Sequence, residues 1–367
     1  MGQTKELLQK IKEAVRDGRL SEGNIPVADL KACVYSELQA NCNTFSEAQH
    51  HEVMQSFSEL CGNISDEEQD KNKILFLIDA LILCNDMISQ TIHMLENGEY
   101  WRYMHRKELD DPEIMEIIEY IDRERKARLL NYDFTKKYED LPVAVFLDEG
   151  CQMNYLWHRG RKMFFPQGWE EERIVGYYRS ITMEQDSDSP HCYYSAGWGV
   201  EIGDIVVDAG AAEGIFALNI IDRAGKIYLV ESDPGWIKAL EQTFRDDREK
   251  VKIIYGFLDS IDEGNRVSID RLFEQEEINY IKMDIEGYEK AALLGAEKTM
   301  ERCGNIRCAI CAYHCREDEE WIRTMLEHQG FVTEVSRGYI YPDWTLEAYL
   351  KAELRRGIVF GKKRDRC

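Results

Sequence analysis

GDIVVDAGAAEGIFALNII, Gly203 to Ile221, is the stretch that decides the fold. A β-branched run from Ile205 to Val207 ends in Asp208, and a turn containing Gly210 and Gly214 then leads straight into an apolar helical pattern. Strand, tight turn and helix start, in that order, open a doubly wound α/β domain, in which a Gly- and Ala-built turn lets a nucleotide-like ligand approach main-chain N–H groups. The spacing is D-x-G-x-x-x-G. A dinucleotide fingerprint, G-x-G-x-x-G, keeps another glycine against the pyrophosphate, and this chain has none at that place.

Beyond residue 200 strands and helices alternate. Asp204–Asp208, Lys226–Glu231, Val251–Gly256, Ile278–Asp284, Asn305–Tyr313, Phe331–Val335 and Gly357–Gly361 read as strands. Helices are expected near Ser268–Gln275 and from Pro234, Gly287 and Asp318. Such alternation predicts a mostly parallel, Rossmann-like sheet covered on both faces, with ligands at the carboxyl ends of its strands. The charged residues fall there. Asp208 closes the first strand, Glu231 the second, and Asp284 the fourth with Glu286 two residues on, while His314 follows the fifth. Glu231 stands where a carboxylate accepts hydrogen bonds from both ribose hydroxyls of an adenosine, with helix capping as the plainer alternative. Acidic strand ends suit a cationic ligand, and S-adenosylmethionine has an ammonium and a sulfonium. Ala211 and Glu213 in the turn and Ser232 after the second strand complete the expected cofactor contacts.

The bulk properties narrow the function classes. A chain of 367 residues predicts about two domains, and 44% hydrophobic residues suffice for a core. A net charge of −23 and a pI near 4.9 argue against a duplex nucleic-acid binder, which needs a basic face. The longest apolar run, Ile74–Cys84, is broken by Asp79 and is too short for a membrane span. MGQTKELLQK opens as an amphipathic helix rather than a signal peptide, and Glu6 stands where myristoylation wants Ser or Thr, so a cytoplasmic protein is expected. Eleven scattered cysteines are expected reduced. CGNIRCAICAYHC has metal-like spacing, yet Cys308 and Cys311 on one strand point to opposite faces and cannot share an ion, so no metal site is predicted there.

Residues 1–130 read as an all-helical domain, with apolar residues at helical spacing such as Leu7, Ile11, Val15 and Ile114, Ile117, Ile118, Ile121. Ser65 and Glu68 form a capping box. Without a convergent His, Cys or acidic motif, this domain suits scaffolding, homodimerisation or docking of a protein partner. Residues 131–200 form a hairpin and lid segment. Val143–Leu147 reads as a strand, and Tyr155–His158 with Lys162–Phe165 as a hairpin around Gly160. A helix over Trp169–Ile181 and the polar loop MEQDSDSPHCYY follow. Residues 201–367 are the cofactor-binding domain.

VVDAGAAEG, YLVESDPGW, KMDIEGYEKAALLGA and ICAYHCREDE together resemble the FkbM family of S-adenosylmethionine-dependent O-methyltransferases, over about residues 176–350. The resemblance implies a class I Rossmann-like methyltransferase sheet, with Asp208, Gly210 and Gly214 as first cofactor motif and Glu231 as ribose ligand. It also implies Asp259 beside the adenine edge and a hydroxyl of a glycan, glycolipid precursor or related metabolite as acceptor. EQDSDSPHCY, Glu184 to Tyr193, resembles a segment upstream of the first motif in bacterial members. Many members carry Glu shortly before the His after strand five; this chain has Ala312.

An alcohol acceptor needs a general base or a metal that lowers its pKa. Asp284, Glu286, His314 and His191 are the catalytic candidates, with His314 as base and Asp284 orienting it or the acceptor. A divalent cation held by Asp284 and His314 is the alternative. If the loop folds over the cofactor, Gln185 and His191 line the acceptor pocket, with Gln185 also expected among the cofactor contacts. The plainer readings pair Lys282 with Glu286 as a helix cap, place Glu289 on the helix surface and leave Tyr313 and His314 as rim residues. At the level of the whole chain, the alternatives to a methyltransferase are a non-catalytic S-adenosylmethionine-binding module and a nicotinamide-dependent oxidoreductase.

Overall fold

The expected strand-and-helix alternation closes into one seven-stranded sheet. The computed structural model describes residues 96–342, 348 and 351–363, so the helices expected before residue 96, with the capping box at Ser65, lie outside the described residues. The chain divides into two units, Met1–Asn131 with Tyr341–Leu354, and Tyr132–Ile340 with Arg355–Cys367.

In the first unit the described helices are α1 (Gly98–Met104) and α2 (Pro112–Glu124). Each begins where its sequence supplies a cap. Asn97 accepts from the Glu99 N–H, and Asp111 from the Glu113 N–H with Pro112 in the first turn. Ile114, Ile117, Ile118 and Ile121 form the buried stripe of α2. Residues of the later insertion join this unit: the Tyr341 N–H donates to the Leu129 carbonyl at 2.9 Å, and His105 Nε2 lies 2.8 Å from the Ala352 carbonyl.

The second unit begins with α3 (Lys136–Glu139), β1 (Phe146–Asp148), β2 (Met153–His158), β3 (Arg161–Phe164) and α4 (Glu171–Glu184). β1–β2–β3 form a small antiparallel sheet, so the expected hairpin is present, and the strand expected from Val143 is confined to its last residues. The repeating layers follow as β4 (Ile205–Ala209), α5 (Ile215–Ile220), β5 (Lys226–Glu231), α6 (Pro234–Thr243), β6 (Val251–Tyr255) and the short pair β7 (Phe257–Leu258) and β8 (Arg266–Val267). Then come α7 (Ile269–Leu272), β9 (Tyr280–Met283), α8 (Glu289–Leu294), α9 (Glu297–Arg302), β10 (Arg307–Cys311), α10 (Asp318–His328), β11 (Phe331–Val335) and β12 (Ile358–Lys363).

The large sheet runs β11-β12-β10-β9-β4-β5-β6. β12 is antiparallel to both neighbours and the remaining pairs are parallel. From β4 the chain steps outward to β5 and β6, then crosses back to β9 on the other side of β4, so the order reverses between β4 and β9. That is the crevice where doubly wound sheets bind ligands.

Both faces are buried, and the side chains sort by the strand period of two. Val206, Ile227, Leu229, Tyr280, Ala309, Cys311, Ile358 and Phe360 pack on the face of α4 and α5. Val207, Ala209, Tyr228, Val230, Ile281, Met283, Cys308, Ile310 and Val359 pack on the face of α7 to α10. Cys308 and Cys311 thus sit in opposite cores, as strand geometry requires, and both are free thiols. The small sheet packs on α6 through Met153, Phe164 and Ala239, which holds the segment after residue 131 against the main domain. No helix among the described residues is long and apolar enough to cross a membrane.

Candidate functional site

The turn after β4 is shaped by its neighbours in the chain. Gly210 (φ 74°), Ala212 (φ 42°) and Gly214 (φ 80°) all occupy the left-handed region. A Cβ on Gly210 would collide with the Asp284 carbonyl, and one on Gly214 with Phe244 and Leu240. The space both glycines leave is therefore taken by protein atoms, whereas the sequence suggested room for a ligand. The reason is the crossover: β9 lies beside β4 and delivers the Asp284 backbone onto the turn.

Ala212 is held in its unusual conformation by Glu231. One carboxylate oxygen of Glu231 accepts the Ala212 N–H at 2.9 Å, and the other accepts the Ser232 and Asp233 N–H groups at 2.7 and 2.8 Å. Asp233, rather than Glu231, caps α6. Three of about four acceptor positions on Glu231 are thus filled by backbone, and the carboxylate is fixed at the end of β5 with one position left. Asp259, just past β7, accepts from the Ser260 N–H at 2.6 Å and pairs with Arg266 at 3.4 Å.

Asp208 and Lys282 are direct cross-strand partners in the β4–β9 register. The buried Lys282 ammonium lies 3.1 Å from Asp208 Oδ1 and donates to the Gly210 carbonyl at 2.6 Å. Lys282 therefore pairs with Asp208, and not with Glu286 as the plainer sequence reading had it. Burial works against its charge, but Asp208 and Asp284 outweigh that and keep it above its ordinary pKa. Burial raises Asp208, with Lys282 opposing.

Beyond β9 the chain brings the catalytic candidates together around Asp284. Tyr193 donates its hydroxyl to Asp284 Oδ2 at 2.6 Å, His191 Nε2 lies 3.6 Å from the same oxygen, and His314 Nε2 lies 3.6 Å from Oδ1. Burial alone would raise Asp284, but His191, charged in the acid range where Asp284 titrates, together with Lys282, His314 and the Tyr193 hydroxyl, lowers it to about 2. Glu286, in the left-handed region at φ 55°, sends an exposed carboxylate to 3.5 Å from His314 Nε2. A non-glycine residue there costs on the order of 1 kcal/mol, the kind of strain that gathers at functional sites.

The residue that sequence reasoning misplaced is Glu289. It is 1% exposed, accepts the Ile285 N–H at 2.9 Å, and lies 3.1 Å from His314 Nδ1. Its position at the start of α8 suggested the helix surface; the return of the chain after β10 covers it with His314. Burial lowers the His314 pKa, yet Glu289, Asp284 and Glu286 together reverse this and push it to about 9. His314 is therefore an imidazolium at neutral pH, not a group titrating near pH 7. His191 behaves oppositely: burial pulls it down to about 4, so it is neutral.

The lid loop supplies two more groups. The Gln185 amide donates to the His191 carbonyl at 3.3 Å, and its oxygen accepts the Tyr193 N–H at 3.4 Å, so Gln185 holds the loop rather than standing free in it. Glu184, not singled out in the sequence, lies 3.7 Å from His191 Nδ1 and is raised to about 8 by burial and by the Asp284 charge. Glu213 is buried, with the Tyr177 hydroxyl donating to it at 2.7 Å, and burial raises it. Asp284, Glu289 and His314 offer ligand atoms within 4.8 Å of one another, as do His191, Asp284 and Cys311; either set has the donor types for a divalent ion.

Separate from this cluster is a cavity of about 720 Å³ between the lid segment and α5, which Gln185 lines together with Tyr194 and Asn219.

Residues 248–333 match the family described as the methyltransferase FkbM domain, so the resemblance read from the sequence is shown over that span. The match takes in Asp259, Asp284, Glu286, Glu289 and His314. No protein of curated function matches the chain. Among solved structures, the methyltransferase FkbM from Methylobacillus flagellatus KT is similar at 16% identity, TM-score 0.39, over 52% of this chain and 52% of that one. The chain thus spans about half the length of that relative. The precorrin-6y C5,15-methyltransferase from Geobacter metallireducens GS-15 is similar at 11% identity and TM-score 0.33, over 46% and 84% of the two chains. An rRNA methylase from Streptococcus thermophilus is similar at 18% identity and TM-score 0.33, over 45% and 89%.

Proposed function

We propose that this chain, with an FkbM methyltransferase domain matched over residues 248–333, is an S-adenosylmethionine-dependent O-methyltransferase. Its acceptor is a hydroxyl of a glycan, a glycolipid precursor or a related metabolite. The observation that carries the reading is Asp284: a carboxylate held ionised at about 2, at the crevice where strand order reverses, with Oδ1 buried and without a hydrogen-bond partner. Glu231 keeps one acceptor position for a ribose hydroxyl at the neighbouring strand end. An excess of carboxylate at this rim fits a cationic ligand and repels phosphate, which disfavours a nicotinamide dinucleotide.

S-adenosylmethionine, when bound, supplies an electrophilic methyl group on a sulfonium. The chain's own residues then have to bring an acceptor oxygen into line with that methyl and take its proton. Asp284, fixed by the Tyr193 hydroxyl, orients the acceptor. Glu289 locks the His314 ring through Nδ1, leaving Nε2 toward Asp284 and Glu286. His314 accepts the proton at Nε2 in its neutral form. A positive charge arriving beside Asp284 offsets the carboxylates that raise His314 and so increases that neutral fraction. Gln185 and His191, on the lid loop, shield the reacting oxygen from water.

Calorimetric titration of S-adenosylhomocysteine tests the cofactor. We expect binding to the native chain, a loss of tenfold or more in Glu231→Ala, and no heat with nicotinamide dinucleotide. Absence of heat from S-adenosylhomocysteine with folded protein overturns the proposal, and unchanged affinity in Glu231→Ala overturns the ribose role.

A further inference from the structure

We infer that the cavity between the lid segment and α5 is a binding site for a small oxyanion, a phosphate- or carboxylate-bearing metabolite, distinct from the acid-rimmed crevice. Its volume of about 720 Å³ lies within the roughly 300–1,000 Å³ spanned by small-molecule sites. Asp208, Glu231, Asp284 and His314 do not line it; Gln185 is its one residue in common with the candidate site.

Two arginines, Arg159 and Arg223, both exposed, are among the residues lining this cavity, and neither makes an ion pair among the described residues. That is unusual company in a chain of net charge −23, where the arginine nearest to Arg159 in sequence, Arg161, pairs with both Asp222 and Asp247. Glu201 also lines the cavity, paired with Arg307 at 2.7 Å, so the lining sets two arginines against one carboxylate. The cavity is therefore locally positive.

Both arginines are held on one framework. Arg159 (φ 47°) and Gly160 (φ 80°) form the two-residue turn of the β2–β3 hairpin, a geometry that usually selects Asn or Gly. The residue before it, His158, is buried and bonds Asn219 of α5 through Nε2 at 2.9 Å and the Tyr178 hydroxyl through Nδ1 at 3.0 Å. Arg223 lies four residues beyond Asn219. The hairpin turn and the end of α5 are thus pinned together, with a guanidinium on each, and guanidinium forks match phosphate and carboxylate oxygens in pairs.

Calorimetry at constant ionic strength with inorganic phosphate and with citrate, on the full chain, tests this site. Saturable binding of at least one probe is expected. Its affinity should fall by tenfold or more in the Arg159→Gln/Arg223→Gln double variant and stay within twofold in Arg245→Gln, an exposed arginine that does not line the cavity. S-adenosylhomocysteine affinity in the double variant should stay within twofold of native, so the two sites are scored separately. No saturable binding of either probe, or equal affinity in the double variant, overturns the proposal.

Discussion

At the amino end of the large sheet, Arg307 opens β10 fully buried. It donates to both oxygens of Asp204 at 2.8 Å and to the Gly199 carbonyl at 3.1 Å, and pairs with Glu201 at 2.7 Å. Beside it, the Asn279 side chain accepts the Ile205 N–H at 2.9 Å. At the carboxyl end of the same strands the arrangement is different. Both oxygens of Asp208, Oδ1 of Asp284 and Oε2 of Glu289 are buried without hydrogen-bond partners, with Lys282 and His314 as the cations among them. At the amino end Arg307 holds both Asp204 and Glu201, with only its Nε buried and without a partner; at the carboxyl end four buried carboxylate oxygens lack one. A buried acceptor without a partner costs about 1–3 kcal/mol, and the cationic ligand proposed above would offset that cost at the carboxyl end. The contrast teaches that hydrogen bonding serves the fold at the amino end and is left open at the carboxyl end, where the proposed chemistry lies.

The sharpest way to break that division is His314→Asn, which removes the imidazole and places its amide where Nδ1 faces Glu289. Loss of a general base reduces turnover by about 10²–10⁴, and S-adenosylhomocysteine affinity should stay within a few-fold. Turnover and calorimetry on the same preparation check this. Unchanged turnover moves the proton acceptor elsewhere, with Glu184, raised to about 8, as the next candidate.

At the opposite end, Arg307→Met should act on the fold. Removing one partner from a buried, hydrogen-bonded ion pair costs about 3–5 kcal/mol, because Asp204 is left buried without its cation. Denaturant unfolding should show that loss, while cofactor affinity in the fraction that remains folded should match the native chain. A stability change under 1 kcal/mol would mean that the amino end is not the structural one.

How far this division was visible in the sequence depended on the range of the interaction. β-branched runs between glycines and prolines gave all seven strands, and the period of two along β10 separated Cys308 from Cys311. Because the interior of a parallel sheet is apolar, Asp208, Glu231, Asp284 and His314 could be assigned to strand ends. Glu289 could not be placed, since its burial is decided by His314, twenty-five residues on and across a strand. The same holds for Lys282, whose partner follows from the β4–β9 register, and for Tyr193, whose hydroxyl meets Asp284 only once the lid loop folds back. Arg307 left no local signal: it opens an apolar strand, and its partners lie about a hundred residues earlier.

A smaller effect, on stability against pH, separates the two ends without removing either cation. His314 has its folded pKa raised to about 9 from 6.5, so the native state binds more protons than the unfolded chain between these values. Its stabilising contribution is complete below about pH 6.5 and disappears as pH rises through 9. Glu184, raised to about 8 from 4.5, acts with the same sign from lower pH. Unfolding free energy should therefore fall by on the order of 1–3 kcal/mol between pH 6.5 and 9. Glu289→Gln withdraws the carboxylate closest to the imidazole, 3.1 Å from Nδ1, and should bring the His314 titration down toward neutrality. Urea unfolding of native and variant protein at pH 6, 7.5 and 9 measures both slopes. If the native slope is flat, or the variant's is the same, then the carboxylates at the carboxyl end do not hold His314 protonated, and the charge imbalance assigned to that end is not felt by the residue at its centre.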